Sequence, residues 1–429
     1  MELEIRNVGK FSRAHLQVEG LTVLAGANST GKSTLSKSLY CLFNGFNFNE
    51  HEYISEKRSS AHVILKNLVY YSSRSNIADY RNISNRLTNK LLSLKNPSIN
   101  TIKELLEKEI NKNQAPQTNI YRNYFGNDTI KTTPLSDSDI ERIAQIISLD
   151  EKDFLKFKTT NLLSNEFHNQ VHNLNHQEAQ SVFKLTIQHE SLSYSVQCNE
   201  IVDFNYPFVL SKNAIYIDDP FIVDDLSTYR FLSHENTFRG NHRENLCNLI
   251  KTNRNGSILD HIEINRYNDI ISKINKICTG ELTKSQYGKF VYQEKNGAEI
   301  DLFNLSTGIK TFLIISTLLK NGTFEQNGTI ILDEPEIHLH PEWQIHFAEI
   351  LILLQKYFNL HILLTTHSPY FLNALETFSK KYDIVNKCHF YHATSSNGDS
   401  ILTEVTASVD TIYKEMAKPF QTLEDIAYE

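Results

Sequence analysis

The stretch Gly26-Ala27-Asn28-Ser29-Thr30-Gly31-Lys32-Ser33-Thr34 constrains this chain more than any other. It fits G-x-x-x-x-G-K-[ST], a loop whose backbone N–H groups cradle phosphate. The flanks agree with that reading. Leu21 to Ala25 is an apolar run of strand length, and Ser33 to Phe43 carries an apolar stripe at helical spacing. The glycines let the backbone turn inward, and the helix start adds partial positive charge. Lys32 would reach the β- and γ-phosphates, and Ser33 would ligate Mg2+. The expected phosphate contacts are Gly26, Asn28, Ser29, Thr30, Gly31, Lys32, Ser33 and Thr34.

Three downstream segments complete the pattern. Thr329-Ile-Ile-Leu-Asp333-Glu334-Pro335 is an apolar strand ending in two acids. Asp333 is the metal-side candidate, and Glu334 is the candidate general base for an in-line water. Leu360 to Pro369 is a second apolar strand, ending at His367. A histidine there can hydrogen-bond the γ-phosphate and orient the attacking water. Asn304-Leu-Ser306-Thr307-Gly308-Ile-Lys310 opens an apolar helix, Thr311 to Leu319, with Ser306 as its expected N-cap. Thr307 and Gly308 leave backbone amides open to an anion. A second phosphate-facing helix start is redundant in a monomer. It makes sense facing the nucleotide of another subunit.

With GANSTGKS, NLSTGIKT, IILDEPEIHLHP and LLTTHSPYFL in place, the chain resembles the SMC-like branch of the ATP-binding-cassette ATPases. It looks most like the OLD-family ATPases of bacteria and their stand-alone relatives. The run Asp333-Glu-Pro-Glu336-Ile-His338-Leu-His340-Pro341 is the most specific of these, joining the acidic strand to a D-loop of that family's form. The resemblance covers residues 1 to about 45 and about 205 to 390. It implies an α/β fold: a cassette-type P-loop NTPase with a mixed sheet, an antiparallel β-subdomain and a helical insertion. It implies ATP and Mg2+ as ligands, and two composite sites in a two-fold, head-to-tail dimer, with higher oligomers open. One subunit would give Gly26–Ser33, Asp333, Glu334 and His367, and its partner Ser306, Thr307 and Gly308. In the family's first hairpin, Lys10 and Phe11 would lie against the base or ribose; the alternative is a plain edge hairpin.

Composition fits a cytoplasmic protein. The chain has 429 residues, is 40% hydrophobic, and carries a net charge of −7. That is enough for one large domain with an inserted one. No apolar run reaches the length of a membrane span, and the N-terminus enters a strand without a signal peptide. Cys41, Cys198, Cys247, Cys278 and Cys388 are scattered, which argues for reduced thiols and against a zinc site. The acidic balance excludes an overall basic nucleic-acid surface and leaves a local patch open.

Motif spacing divides the chain into four parts. Residues 1–45 and 177–390 are the two halves of the ATPase, 46–176 a helical insertion, and 391–429 a C-terminal tail. Within the insertion, Val63 to Tyr71, Asn82 to Leu94, Ile102 to Asn111, Ile140 to Ile147 and Asp153 to Leu162 have helical spacing. Pro97, Pro116 and Pro134 break it too often for a long coiled coil. Val182 to Ile187 with Leu192 to Gln197 reads as a hairpin, as does Gly288 to Tyr292 with Glu299 to Leu302 around Asn296-Gly297. Asn213 to Phe221 is a strand ending in Asp218 and Asp219. The family usually places a nucleotide-sensing glutamine there; the two acids either replace it or merely end a strand.

No nuclease is expected in this chain. Many OLD-family chains continue into a TOPRIM nuclease domain of about a hundred residues. Only about sixty residues follow His367. Arg230 to Glu244, with His234 and His242, lacks the spacing of a ββα-metal nuclease and reads as a solvated polar loop. Septu-type stand-alone relatives accompany an HNH nuclease or a TOPRIM protein in anti-phage defence. The resemblance therefore implies an ATPase subunit controlling a separate nuclease, with nucleic acid reached through the complex and no membrane partner. Two alternatives remain, an SMC-type DNA repair or recombination ATPase and an autonomous nuclease.

Overall fold

A computed structural model describes residues 1–66, 69–70, 77–94, 97–113, 131–132, 136–173, 175–176, 179–227, 240–252, 267–396 and 398–428. Within them the chain forms two compact units, Met1–Asn47 with Lys156–Glu429, and Phe48–Leu155.

The larger unit is built on a six-stranded sheet. Its order is Asp399–Glu404, Cys388–Ser396, Leu21–Gly26, His361–Thr366, Thr329–Asp333, Ala214–Ile217. The first strand is antiparallel and all others are parallel. Four of the parallel strands, Leu21–Gly26, His361–Thr366, Thr329–Asp333 and Ala214–Ile217, are largely apolar runs, as expected of strands covered on both faces; Cys388–Ser396 alternates buried with partly exposed positions. All six residues of Leu21–Gly26 are buried. Helix Thr307–Lys320 buries Phe312, Leu313, Ile315 and Leu318. Helix Pro341–Phe358 buries Phe347, Ile350, Leu351 and Leu354. Each such side chain contributes about 1.5–3 kcal/mol of transfer free energy.

Register sets the functional edge. Asp333 pairs with Thr365, Thr366 with Ala25, and Leu332 with Ile217. The phosphate loop, the acidic pair, His367 and Asp218 therefore all leave the sheet at the C-terminal ends of adjacent parallel strands. This edge is where open α/β sheets bind ligands.

A second sheet is antiparallel, in the order Phe11–Gln17, Glu2–Val8, Ser181–Ile187, Glu190–Gln197, Glu200–Asn205. The expected hairpin at 182–197 lies in it. A three-stranded sheet of Glu281–Lys284, Phe290–Gln293 and Glu299–Ile300 holds the hairpin expected before Ser306.

The smaller unit is helical: Glu50–Lys66, Ile77–Leu92, Ile99–Asn113 and Asp137–Ser148. Its core is Leu65, Leu87, Leu91, Ile102, Leu106 and Ile143. Ser136 caps the last of these helices by accepting from the Asp139 N–H. A two-stranded ribbon joins Val69–Tyr70 to Lys131–Thr132.

Three boundaries differ from the sequence reading. The helix expected over 63–71 ends at Lys66, and the β-prone pair Val69–Tyr70 forms a strand instead. The chain re-enters the larger unit inside helix Glu151–Phe167, at Leu155/Lys156 and not at 176. Lys158 is buried there, with Nζ donating to the Asn47 carbonyl at 3.0 Å. The expected tail is no tail. Cys388–Ser396 is a core-sheet strand beside Leu21–Gly26, and helix Asp410–Tyr428 follows. Cys388 and His389 read as strand residues in the sequence, and the polar Tyr, His and Thr residues after them hid how far the strand runs. Pro116, Pro134, His234 and residues 230–239 of the polar cluster lie outside the described residues.

Candidate functional site

The phosphate loop is shaped by backbone conformation. Gly26 has φ 152°, Ser29 62° and Gly31 81°. A Cβ at Gly26 would lie 2.1 Å from the Ala393 carbonyl oxygen, and one at Gly31 would lie 2.8 Å from the Phe11 ring. Both glycines are thus fixed by contact as well as by conformation. Ala27, Asn28, Ser29 and Ser33 are exposed, while Thr30 is buried with its hydroxyl on the Ala27 carbonyl at 2.9 Å. Lys32 is only 4% exposed and donates to the carbonyls of Gly26 and Ala27 at 3.1 and 2.9 Å. Burial lowers its pKa, against the pull of Glu334, Asp333 and Glu336. A buried lysine held by loop carbonyls and drawn on by three acids suits a polyphosphate in the cradle.

Lys10 reaches the loop, donating to the Ser29 carbonyl at 2.7 Å. Phe11 does not fit the expected contact with a base. It is 0% exposed beneath Gly31, so it supports the loop from below.

The acidic half is built from side chains. Asp333 accepts from the Thr365 hydroxyl at 2.5 Å and from the Tyr216 hydroxyl at 3.1 Å. The same Thr365 oxygen accepts the Glu334 N–H at 2.9 Å. One threonine therefore pins both acids. Glu334 has φ 50°, in the left-handed region. Its Oε1 lies 2.5 Å from His367 Nε2, and this hydrogen bond holds the Glu334 carboxyl below its usual pKa.

Glu336 lies two residues on and is 2% exposed. Its Oε1 accepts from the Thr366 hydroxyl at 2.5 Å and from the His367 N–H at 2.9 Å. Burial raises its pKa. Gln344 accepts from the Ser368 hydroxyl at 2.6 Å and donates to the Leu339 carbonyl at 3.0 Å. These bonds lace the Asp333–Pro341 segment to the His367 segment. Sequence reasoning missed Thr365, Thr366, Glu336 and Gln344. The signal was the Thr-Thr pair before His367: the Thr365 hydroxyl serves Asp333 and the Glu334 backbone, and the Thr366 hydroxyl serves Glu336.

Ser306 stands at the N-cap position, as expected, but its side chain makes no capping bond. It is exposed, Thr307 is half-buried, and Gly308 is buried against the Trp343 ring, 2.8 Å from where a Cβ would sit. The helix thus starts with open amides and no acid in its first turn. Lys310 is 2% exposed, paired with Asp224 at 2.6 Å and 5.1 Å from the Phe221 ring centroid. The helix start is thereby tied to the turn after Asp218–Asp219.

Asp218 and Asp219 are partnered. Asp218 lies 3.0 Å from His242 Nε2, and Arg243 pairs with both acids. His242 is 6% exposed, and its Nδ1 lies 2.7 Å from Glu166. Burial opposes its charge, but hydrogen bonds to Asp218 and Glu166 raise its pKa to about 9. A buried imidazolium between two carboxylates is not a solvated loop residue, so the polar-loop reading fails at His242.

Among the described residues, no three His, Cys, Asp or Glu side chains converge to hold a metal by themselves. The donor set of Ser33 and Asp333 fits a hard cation completed by phosphate oxygens and water. No helix among them is long and apolar enough to cross a membrane.

The AAA ATPase domain family model matches residues 1–372. The Retron Vc95 probable ATPase of Vibrio cholerae serotype O1 biovar El Tor is 34% identical over 107 residues, 22% of this chain and 20% of that protein. The Retron Ec83 probable ATPase of Escherichia coli is 32% identical over 95 residues, 20% of this chain and 17% of that protein. The chain thus spans about a fifth of the length of the curated relatives it matches. The SMC head domain from Thermotoga maritima aligns at 10% identity and a TM-score of 0.38, over 94% of this chain and 98% of that one. An ATP-binding cassette of an ABC transporter aligns at 10% identity and a TM-score of 0.33, over 96% and 98%.

Proposed function

The chain belongs to the AAA ATPase domain family, and on that premise we propose that it is the ATP-hydrolysing subunit of a bacterial anti-phage defence complex. It would be of the OLD-like kind, and would work in the cytoplasm. The observation that carries the ATPase part is the sheet edge. There the glycine cradle with Lys32 sits at the same strand ends as Asp333, Glu334 and His367, with the last two in direct contact at 2.5 Å.

ATP is the substrate, held by Gly26–Thr34 with Lys32 on the β- and γ-phosphates. A divalent cation at Ser33 and Asp333 would neutralise charge on the phosphates. Glu334 takes a proton from water as the water oxygen bonds to the γ-phosphorus. The bond to the bridging oxygen breaks, and ADP leaves with the electron pair. His367, on Glu334, orients the water and the γ-phosphate. The uncapped Ser306 and the amides of Thr307 and Gly308 would close the site from a second copy, head to tail. Bound ATP would join the subunits and hydrolysis would release them.

The defence setting rests on the motif resemblance and on the likeness to two retron ATPases. We assign cleavage to a separate HNH or TOPRIM-type nuclease, which the ATPase holds silent or positions. His242, buried between two carboxylates, supports that assignment because it presents no free face to a nucleic acid.

The test has two arms. Ser306→Arg should leave ATP binding to the subunit nearly intact and block hydrolysis; normal turnover by that variant removes the shared site. The purified chain should cut neither DNA nor RNA in Mg2+ or Mn2+, and should co-purify with the nuclease. Cleavage by the chain alone that is lost on changing His234 or His242 would reverse the assignment.

A further inference from the structure

Both oxygens of Asp333 are occupied by neutral donors. Thr365 takes Oδ1 and the Tyr216 hydroxyl takes Oδ2. A carboxylate held at both oxygens keeps one orientation while retaining lone pairs for a cation. Thr365 comes from the neighbouring strand and is placed by pairing register. Tyr216 needs a different explanation, because its hydroxyl is aimed by the plane of a ring.

That ring is 2% exposed and is fixed by what packs on it. The His242 imidazole stacks at 4.3 Å with 27° between planes, and Tyr40 lies at 5.8 Å and 53°. Cationic imidazole over a phenol face is attracted by the ring quadrupole. His242 cannot slide, because Glu166 holds its Nδ1 and its backbone N–H, each at 2.7 Å, and Asp218 holds Nε2 at 3.0 Å. As a device for stability this is a poor choice, since an apolar ring of similar size does as well as a buried ion triad. As a device for holding one ring at one angle it is a good one.

We propose that Tyr216, with the His242 imidazolium packed on its ring, is a positioning residue that orients Asp333 for the divalent cation, and that Glu166 and Asp218 lock that imidazolium in place. The inference rests on the ATPase reading and deepens it. It gives Asp218, one strand over from Asp333, a role in the site without contact to nucleotide. It also links the site to helix Glu151–Phe167, which carries Glu166.

The experiment titrates Mg2+ at fixed concentration of a fluorescent ATP analogue, on the whole chain, for wild type, Tyr216→Phe and His242→Gln. Metal-free nucleotide affinity is measured alongside, and so are melting temperatures. Tyr216→Phe keeps the ring and its stacking and removes only the hydroxyl. Its Mg2+ midpoint should rise about tenfold, as for other outer partners of metal-binding carboxylates, with metal-free affinity unchanged. His242→Gln should move the midpoint in the same direction and also lower the melting temperature. A Tyr216→Phe midpoint equal to wild type overturns the inference and leaves the ATPase reading standing. A wild-type chain that binds no nucleotide overturns both.

Discussion

The two halves of the nucleotide site are made in different ways. The phosphate loop is a backbone object: Gly26, Ser29 and Gly31 hold positive φ, and a Cβ at Gly26 or Gly31 would run into the Ala393 carbonyl or the Phe11 ring. The acidic half is a side-chain object: Asp333, Glu334 and Glu336 are held by Thr365, Thr366, Tyr216 and His367. A backbone device fails when one residue type changes. A side-chain device loosens by degrees, because its supports share the load.

The largest effects should come from the groups proposed to meet the phosphates. Lys32→Ala should abolish ATP binding in a direct titration. Glu334→Gln should bind ATP and lose about 10²–10⁴-fold in turnover, the range for a general base. Wild-type turnover by Glu334→Gln would break the side-chain half of the comparison.

Next comes Gly31→Ala, the cleanest trial of the backbone half. The variant meets left-handed strain of about 1–3 kcal/mol and the Phe11 ring. Nucleotide affinity should fall by one to two orders of magnitude, with the melting temperature lowered as well. Unchanged affinity would mean that the loop has slack the structure does not show.

Thr365→Val should be milder. It leaves Asp333 and the Glu334 N–H each short of one bond, about 1–3 kcal/mol in a buried site. Turnover should fall about tenfold or somewhat more, and Thr365→Ser should restore most of it. Failure of serine to rescue would shift the role from the hydroxyl to the methyl group.

The smallest effect should be the pH response of the His242 clamp. Its pKa in the folded chain is about 9, against an ordinary 6.5. The folded state therefore holds this proton more tightly than the unfolded state. The stabilisation is fully present below about 6.5 and is lost as pH rises through 9. Melting temperature should decline by a few degrees between pH 7 and 9, and His242→Gln should flatten the decline. A slope unchanged by that variant would place the titration elsewhere.

This division also explains what the sequence disclosed. Glycine spacing around Lys32 was legible because the loop tolerates few substitutes. The acids and His367 were legible because they end apolar strands. Their supports were not. Thr365 and Thr366 read as ordinary strand residues, and Tyr216 and His242 come together from segments that no local pattern joins. In the smaller unit only periodicity was available. It found three of the helices with their ends a few residues off, but of Glu50–Lys66 it caught only the last turn and ran past Lys66, where Val69–Tyr70 turns to strand. Phe11 failed differently. It begins the second strand of the first hairpin, but burial beneath Gly31 removes its face from any ligand.

The strand Cys388–Ser396 sets a limit on how this protein can be divided. It covers the side of Leu21–Gly26 opposite His361–Thr366, and it brings the Ala393 carbonyl against Gly26. A fragment ending after helix Pro369–Lys381 would contain every nucleotide-binding motif. It would also turn the phosphate-loop strand, fully buried here, into a sheet edge with unpaired N–H and C=O groups. Such an edge invites pairing with another chain. That fragment should therefore misassemble, and inactivity in it would report on a missing neighbour and say nothing about the chemistry of the motifs it carries.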